Sequence, residues 1–292
     1  ARWLTMDRAT MNHQLLYTEH LSDSDMALLA AAVGSDPESV RRYLHQRPEV
    51  IDELLAEPSL FELVFETPDP DLRVRLTPFL LFGILVNRVA ADLQHVNYAF
   101  EWAGAGQRLP VFDVASMREF LAEAARRYLL IEFLASFTKV ASGRIWVKTR
   151  RGYQSRRFSE LDLVRMVDVV QQLPPAQRPG GYRRLGDIAL FLTGVFPDHT
   201  ARHPIAPLHR ERLVKMAGLE ASAGLVTEDL AFHELLGAAW YRRAVEAAAA
   251  LVGKGPEELL YLADNFTAAR RVLNYLADNY LHHFEAGLGR PA

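Results

Sequence analysis

Apolar side chains recur three and four residues apart over most of this chain, and this helical period limits the fold more than any other feature. The clearest stripe lies near the carboxyl end and consists of Leu259, Leu262, Phe266, Ala269, Leu273, Leu276 and Tyr280. A helix with such a stripe buries one face against neighbouring helices. The sequence therefore predicts a mainly α fold of about eleven helices, of which the last form an antiparallel carboxy-terminal bundle.

Proline and capping residues predict where several helices begin. Proline is favoured at the first helical position because its missing N–H would have no partner there. Prolines follow residues 36, 47 and 57, and each is followed by an apolar run of helical period. We expect three short helices there, each of about ten residues. Ser116 with Glu119 forms a capping-box pattern, which predicts one long helix that ends near residue 139.

Two loops divide the sequence into candidate parts. The glycine-containing segment 104–110 and the proline-rich segment 174–181 are both expected to be irregular. The predicted parts are an acidic helical layer, a central group of helices and the carboxy-terminal bundle, at residues 1–76, 77–177 and 178–292. A single continuous domain is the alternative.

The helical period is interrupted once, at residues 144–158. Two runs of strand-like sequence, 145–149 and 153–158, lie on either side of Arg150, Arg151 and Gly152. A short polar connection that includes glycine is typical of a β-hairpin, because glycine is available for a positive φ. The sequence predicts one small hairpin here and no other strand pair.

Charge is unevenly distributed, although the formal net charge is only −3. Residues 1–76 contain 7 basic and 14 acidic side chains, whereas residues 139–158 contain 7 basic and no acidic ones. Clustered cations neutralise phosphates, and the interleaved rings of Trp146 and Tyr153 are suited to stacking on bases or packing on helices. The candidate residues for binding a polyanion are Arg144, Lys148, Arg150, Arg151, Tyr153, Arg156 and Arg157.

Three classes of function are compatible with these features. The first is a non-catalytic binding or regulatory protein whose hairpin contacts nucleic acid or an acidic protein. The alternative for the hairpin is that it binds no partner and that its arginines pair with the acidic helices of the same chain. The second class is a helical small-ligand-binding protein or an enzyme, with an interhelical pocket around Asp187, His233 and Trp240. The third is a structural or assembly protein that forms a homodimer through helices at 228–252 and 256–284.

The predicted helix at 182–196 contains both a carboxylate and glycines within an apolar run. Asp187 either faces the helix dipole or is a buried acid paired with a neighbouring arginine. Gly186 and Gly194 each weaken an isolated helix by about 1 kcal/mol relative to alanine. We expect them to mark positions where another helix packs closely.

Composition and motifs exclude several classes of site. The chain has no cysteine, which excludes disulfides, thiolate catalysis and cysteine-ligated metals. His199, His203 and His209 are crowded into one segment without the spacing that fixes a metal, so no metal or cofactor is expected. Nucleotide-binding loops and serine-nucleophile motifs are absent. The longest apolar run, 79–86, is far shorter than the ~20 residues of a membrane-spanning helix, so a cytoplasmic protein is expected.

Overall fold

The computed structural model describes residues 13–66, 70–104, 107–139, 142–149 and 152–281. Most of this part of the chain is helical, which confirms the predicted mainly α fold. The described residues form 16 helices, more than the eleven expected. The count is higher because two long periodic segments are each divided and because additional short helices lie between prolines.

The described chain divides into two compact units, and each is built from separated segments. The amino-terminal unit comprises the described residues within 13–99, 111–138 and 278–281. The carboxy-terminal unit comprises those within 100–110 and 139–277. The division into three consecutive parts stays a prediction.

The amino-terminal unit is helical, and its core lies where the helix Pro78–Asp92 packs on the helix Ala124–Ser136. The rings of Tyr17, Phe79 and Tyr128 meet there, with centroids 4.9 to 5.6 Å apart. The helices of this unit are α1 (His13–His20), α2 (Asp23–Ala32), α3 (Pro37–Gln46), α4 (Val50–Leu55), α5 (Pro58–Phe61), α6 (Pro70–Arg75), α7 (Pro78–Asp92), α8 (Val114–Ala122) and α9 (Ala124–Ser136).

Prolines determine the length of the first short helices. Of the three helices expected to have about ten residues, only α3 does, with Asp36 as its N-cap and Pro37 in its first turn. The residue before a proline disfavours helical backbone, so α4 ends ahead of Pro58 after 6 residues. Helix α5 has 4 residues and continues into a π-helical turn at Glu62–Glu66.

The single long helix expected from Ser116 is wrong. Glu123 has extended backbone, with φ −86° and ψ 129°, and it separates α8 from α9. Asp113 occupies the N-cap position of α8, and the Ser116 hydroxyl donates to its carbonyl oxygen at 3.0 Å. The guanidinium of Arg127 donates to the Leu121 carbonyl at 2.7 Å. This contact satisfies a helix-end carbonyl that would otherwise lack a partner, and so stabilises the break.

The carboxy-terminal unit is built around two long helices, α11 (Arg178–Gly194) and α14 (Asp229–Val252). It also holds two strand pairs, β1 with β2 and the antiparallel pair of β3 with β4. Its elements are β1 (Ala99–Gly104), β2 (Gln107–Val111), β3 (Ser142–Thr149), β4 (Gly152–Ser159), α10 (Leu163–Gln172), α11 (Arg178–Gly194), α12 (Pro197–Arg202), α13 (Pro207–Ala217), α14 (Asp229–Val252), α15 (Glu257–Asp264) and α16 (Phe266–Leu276). The first residue of β1 and the last residue of β2 are assigned to the amino-terminal unit.

The pair of β1 and β2 corrects the expectation of a loop at 104–110 and of a single strand pair. Tertiary contacts hold β1 in place. Glu101 forms ion pairs with Arg270 and Arg271, and the indole N–H of Trp102 donates to Asp198 at 2.6 Å. These contacts join β1 to residues far along the chain, so local sequence gave no signal of the strand.

Glycines let neighbouring helices approach α11 closely, as the sequence predicted. A Cβ atom on Gly186 would lie 2.6 Å from the Tyr241 ring of α14, and one on Gly194 would lie 2.7 Å from Leu273 of α16. The expected loop at 174–181 is shorter than predicted, because α11 already begins at Arg178.

The last predicted helix, at 256–284, is divided as well. Asn265 breaks it into α15 and α16, with φ −115° and ψ 31°, and its side chain donates to the Tyr261 carbonyl at 3.0 Å. The stripe residues from Leu259 to Leu276 are 0 to 4% exposed. They are covered within the chain itself, so a dimer surface on these helices does not include them and stays a prediction.

The contact at Gly237 gives a test of the α14 packing. A Cβ atom there would overlap the buried Phe266 ring and lie 3.0 Å from the Ala189 Cβ. We expect Gly237→Ala to lower the free energy of unfolding by about 1–2 kcal/mol in urea denaturation, because overpacking outweighs the gain in helix propensity. Gly224→Ala is the control, since its Cβ would meet only Val214 at 3.9 Å. Equal stability of the two variants would contradict this packing.

Candidate functional site

The predicted basic hairpin is confirmed as a two-stranded antiparallel ribbon. Strands β3 and β4 pair over their whole length, from Ser142 opposite Ser159 to Thr149 opposite Gly152. Gly152 is therefore part of the strand and not of the turn. Arg150 and Arg151, which connect the strands in sequence, lie outside the described residues.

The pairing register divides the ribbon residues between two faces. Residues directly opposite one another share a face, and alternate residues along a strand share it too. Arg144 is opposite Arg157, Lys148 is opposite Tyr153, and Trp146 lies between Arg144 and Lys148 on the same face. We call this set of five the cationic face. The other face carries Ile145, Val147, Arg156 and Phe158.

A buried ion pair fixes the end of the ribbon to α11. Glu160 follows β4 directly, and its carboxylate accepts a hydrogen bond from Arg184 at 2.6 Å. The side chains are 6% and 3% exposed. Arg184 also lies 4.0 Å from Asp187, which accepts a hydrogen bond from the Tyr241 hydroxyl at 2.9 Å. The polar network therefore runs from the ribbon through α11 to α14.

Burial keeps the last member of this network protonated. Desolvation, and next the nearby Asp187 carboxylate, raise the pKa of Tyr241 well above its usual range. The Tyr241 hydroxyl is consequently a stable hydrogen-bond donor to the acid. Asp187 thus has the structural role of a buried acid held by charged and polar neighbours, one of the two alternatives drawn from the sequence.

The three residues predicted to line an interhelical pocket are all buried. Asp187, His233 and Trp240 are 7%, 3% and 0% exposed. The Nδ1 atom of His233 donates to the Asp229 carbonyl at 2.7 Å, and burial lowers the pKa of this histidine. The indole nitrogen of Trp240 has no hydrogen-bond partner. The pocket around these residues stays a prediction.

An open groove that the sequence did not reveal lies beside the start of α14. It has a volume of about 1040 Å³. Its lining does not include Asp187, His233 or Trp240. The apolar part of the lining includes Pro204, Ile205, Val214, Leu219, Ala221 and Val226.

Arg210 holds the walls of this groove together. Its Nε atom donates to the Ile205 carbonyl at 3.2 Å, and its other nitrogens bond the Val226 carbonyl and the Asp229 carboxylate. The guanidinium carbon lies 4.3 Å from the centroid of the Phe232 ring. One buried cation thereby joins two irregular segments to α13 and α14. The irregular, proline-containing stretch around residues 203–207 was the one sequence signal of such a site.

The crowded histidines do not form a metal centre in the described part of the chain. Nowhere in it do three or more histidines or acids come together as ligands for a metal ion. His199 and His203 instead stack, with ring centroids 4.1 Å apart. The Nδ1 atom of His203 lies 2.9 Å from the His199 carbonyl oxygen, which places it as the donor.

Comparison with protein-family models, curated proteins and solved structures finds no match to this chain. None of the helices among the described residues has the length and apolar character needed to cross a membrane. The structure defines a mainly α protein whose carboxy-terminal unit carries a basic two-stranded ribbon and an apolar groove.

The ion pair between Glu160 and Arg184 can be tested by substitution. Removing one partner of a buried pair leaves an uncompensated charge, so we expect Glu160→Ala to cost about 3 kcal/mol of unfolding free energy. Glu257→Ala is the matched control, because Glu257 is 80% exposed in its pair with Lys254. It should change stability by less than about 1 kcal/mol. Urea denaturation that gives the two variants the same stability would show that the pair does not hold the ribbon.

Proposed function

We propose that this protein is a non-catalytic binding protein that takes up a polyanion on the cationic face of its ribbon. The observation that carries the proposal is the pairing of Arg144 with Arg157 in the strand register. Like charges directly opposite one another destabilise a sheet. Residues 139–158 contain no acid to offset them. A bound polyanion would relieve this repulsion.

The spacing of the cationic positions suits a chain of phosphates or other repeated anions. Positions on one face of a strand repeat at about 6.6 Å, and neighbouring strands lie about 4.8 Å apart. Three cationic positions, Arg144, Lys148 and Arg157, therefore lie within about 15 Å of one another. Neutralising three phosphates releases counterions, which predicts a slope of about −2 to −3 for log affinity against log salt concentration.

Three acidic side chains of the amino-terminal unit have partners within that unit. Asp23 pairs with Arg41 at 2.5 Å, and Asp52 lies 3.6 Å from Arg127. The Asp25 carboxylate accepts hydrogen bonds from backbone N–H groups of Ser22 and Thr77. Three acids of the segment 1–76 thus have partners other than the ribbon, which supports an external polyanion.

Charge reversal on the cationic face tests this proposal. We expect Arg144→Glu with Arg157→Glu to weaken binding of a fluorescein-labelled oligonucleotide at least tenfold at about 0.1 M salt, and to flatten the salt dependence. The measurement is fluorescence anisotropy, with unlabelled polyphosphate as competitor.

The control carries the same change of net charge elsewhere in the carboxy-terminal unit. Arg242→Glu with Lys254→Glu alters two exposed cations, whose side chains are 47% and 68% exposed. This variant should bind within about twofold of the unaltered protein. If both variants bind equally well, or if the unaltered protein binds no polyanion, the proposal is wrong.

The groove supports a second candidate function, the binding of a small apolar molecule. Its volume of about 1040 Å³ is close to the upper end of the range for small-ligand sites, about 300–1000 Å³. The hydrogen bonds of Arg210 hold the walls of the groove in place, so the groove exists without a bound ligand. Anilinonaphthalene sulfonate, which fluoresces in apolar sites, should therefore bind saturably at one site.

Filling the groove tests this second function. Ala221 is exposed at the groove lining, so Ala221→Trp should occupy the space with little effect on the core and abolish saturable dye fluorescence. Ala250→Trp, at an exposed position of α14 outside the lining, should leave the fluorescence unchanged. Loss of the dye signal in both variants, or in neither, would contradict a binding site in the groove.

A further inference from the structure

The cationic face of the ribbon carries two aromatic residues as well as its cations. Trp146 is two residues from Arg144 and two from Lys148, and Tyr153 is directly opposite Lys148. From this juxtaposition we infer that the ligand is a single-stranded nucleic acid, whose phosphates meet the cations and whose bases stack on Trp146 and Tyr153. The inference rests on the proposed polyanion binding and names its substrate class.

The register sets the distance between the two aromatic positions. Trp146 is opposite Ser155, so Tyr153 is its diagonal neighbour on the other strand. Diagonal neighbours on one face of an antiparallel pair are about 7 Å apart. Stacked aromatic atoms are separated by about 3.5 Å. Two aromatic positions at this separation are close enough for neighbouring bases of one unpaired strand to reach both of them.

Aromatic residues at these positions distinguish among anionic ligands. Polyphosphate, sulfated sugars and acidic peptides offer charge without a base to stack. A duplex offers its phosphates to the same cations, and its major groove is wide enough to admit a two-stranded ribbon. Its bases, however, are already stacked on one another. Only an unpaired strand offers both repeated charge and free base faces, the combination that single-strand binding surfaces use.

The composition of the other face agrees with this division of roles. It carries the apolar residues Ile145, Val147 and Phe158. Strand β4 contacts α10, which follows it in the chain. The register thus places three apolar residues, together with Arg156, on the face opposite to Trp146 and Tyr153. Single-stranded RNA and DNA share the chemistry inferred here.

The test compares the full chain with a variant that lacks both rings, Trp146→Leu with Tyr153→Leu. Labelled single-stranded RNA, single-stranded DNA and duplex DNA of one sequence are titrated by fluorescence anisotropy, with polyphosphate as a competitor. We expect the unaltered protein to bind at least one single strand about tenfold or more tightly than the duplex. The leucine variant should lose about 10- to 100-fold for that strand and change less than about twofold for duplex and polyphosphate.

A second variant separates stacking from folding. Trp146→Phe with Tyr153→Phe keeps a ring at each position, so it should retain single-strand binding within about threefold. Circular dichroism of each variant reports whether the fold is kept. If the leucine variant is misfolded, the comparison of the phenylalanine variant with Trp146→Leu alone replaces it, with the same expected ordering.

The outcomes separate this inference from the proposed function. Tighter binding of RNA or of DNA supports the inference in either case and identifies the strand. Equal affinity for single strands and duplex, or equal affinity of the leucine and phenylalanine variants for the single strand, overturns the inference and leaves polyanion binding intact. Failure of the unaltered protein to bind any of the four polyanions overturns both.

Discussion

The close packing of α11 on α14 is the constraint on which the carboxy-terminal unit depends. It requires glycine at Gly186, because the Tyr241 ring occupies the space that a side chain would take. The same ring carries the hydroxyl that bonds Asp187. Arg184, one turn earlier on α11, holds Glu160 at the end of the ribbon. Apolar contact and polar anchoring are thus parts of one interface, and the ribbon is fixed beside a close contact between the two helices.

Elements determined by neighbouring residues could be predicted from the sequence, and elements held by distant residues could not. Alternation of apolar and polar residues around a short connection identified the ribbon of β3 and β4. The pair of β1 and β2 was missed because Glu101 and Trp102 are held by residues about one hundred or more positions away. The breaks at Glu123 and Asn265 were missed for a different reason. Neither residue is a proline or glycine, and side-chain hydrogen bonds to backbone carbonyls accompany both breaks.

The candidate site could also be predicted only in part from the sequence. The run of cations without acids identified the ribbon, but only the register showed which of them share a face. Asp187 was recognised as an acid in an apolar helix, whereas Glu160, its partner across Arg184, was not singled out. The sequence signal for Glu160 is its position, since it is the first acid after a long basic segment. The groove had almost no signal, because its walls come from irregular segments.

Arginines occur in two settings in this unit, as buried residues that join segments and as residues of the basic ribbon. Arg184, Arg210 and Arg270 are 2%, 9% and 2% exposed, and each joins separate segments through hydrogen bonds to an acid or a backbone carbonyl. The planar guanidinium suits this work because its five donors are fixed in direction. Such joints place arginines inside the unit, where acids and backbone carbonyl groups accept their hydrogen bonds. Counting arginines therefore does not identify a binding surface, whereas their position in the fold does.

The opposed arginines of the ribbon have a consequence for how ionic conditions act on the free protein. Residues directly opposite in an antiparallel pair have Cβ atoms about 5 Å apart. The screening length at physiological ionic strength is about 8 Å. Salt therefore weakens the attraction of a distant polyanion much more than the repulsion between Arg144 and Arg157. Raising the salt concentration therefore changes the interaction between these paired positions of the free ribbon little, whereas on the proposed function it slows the approach of an anionic chain.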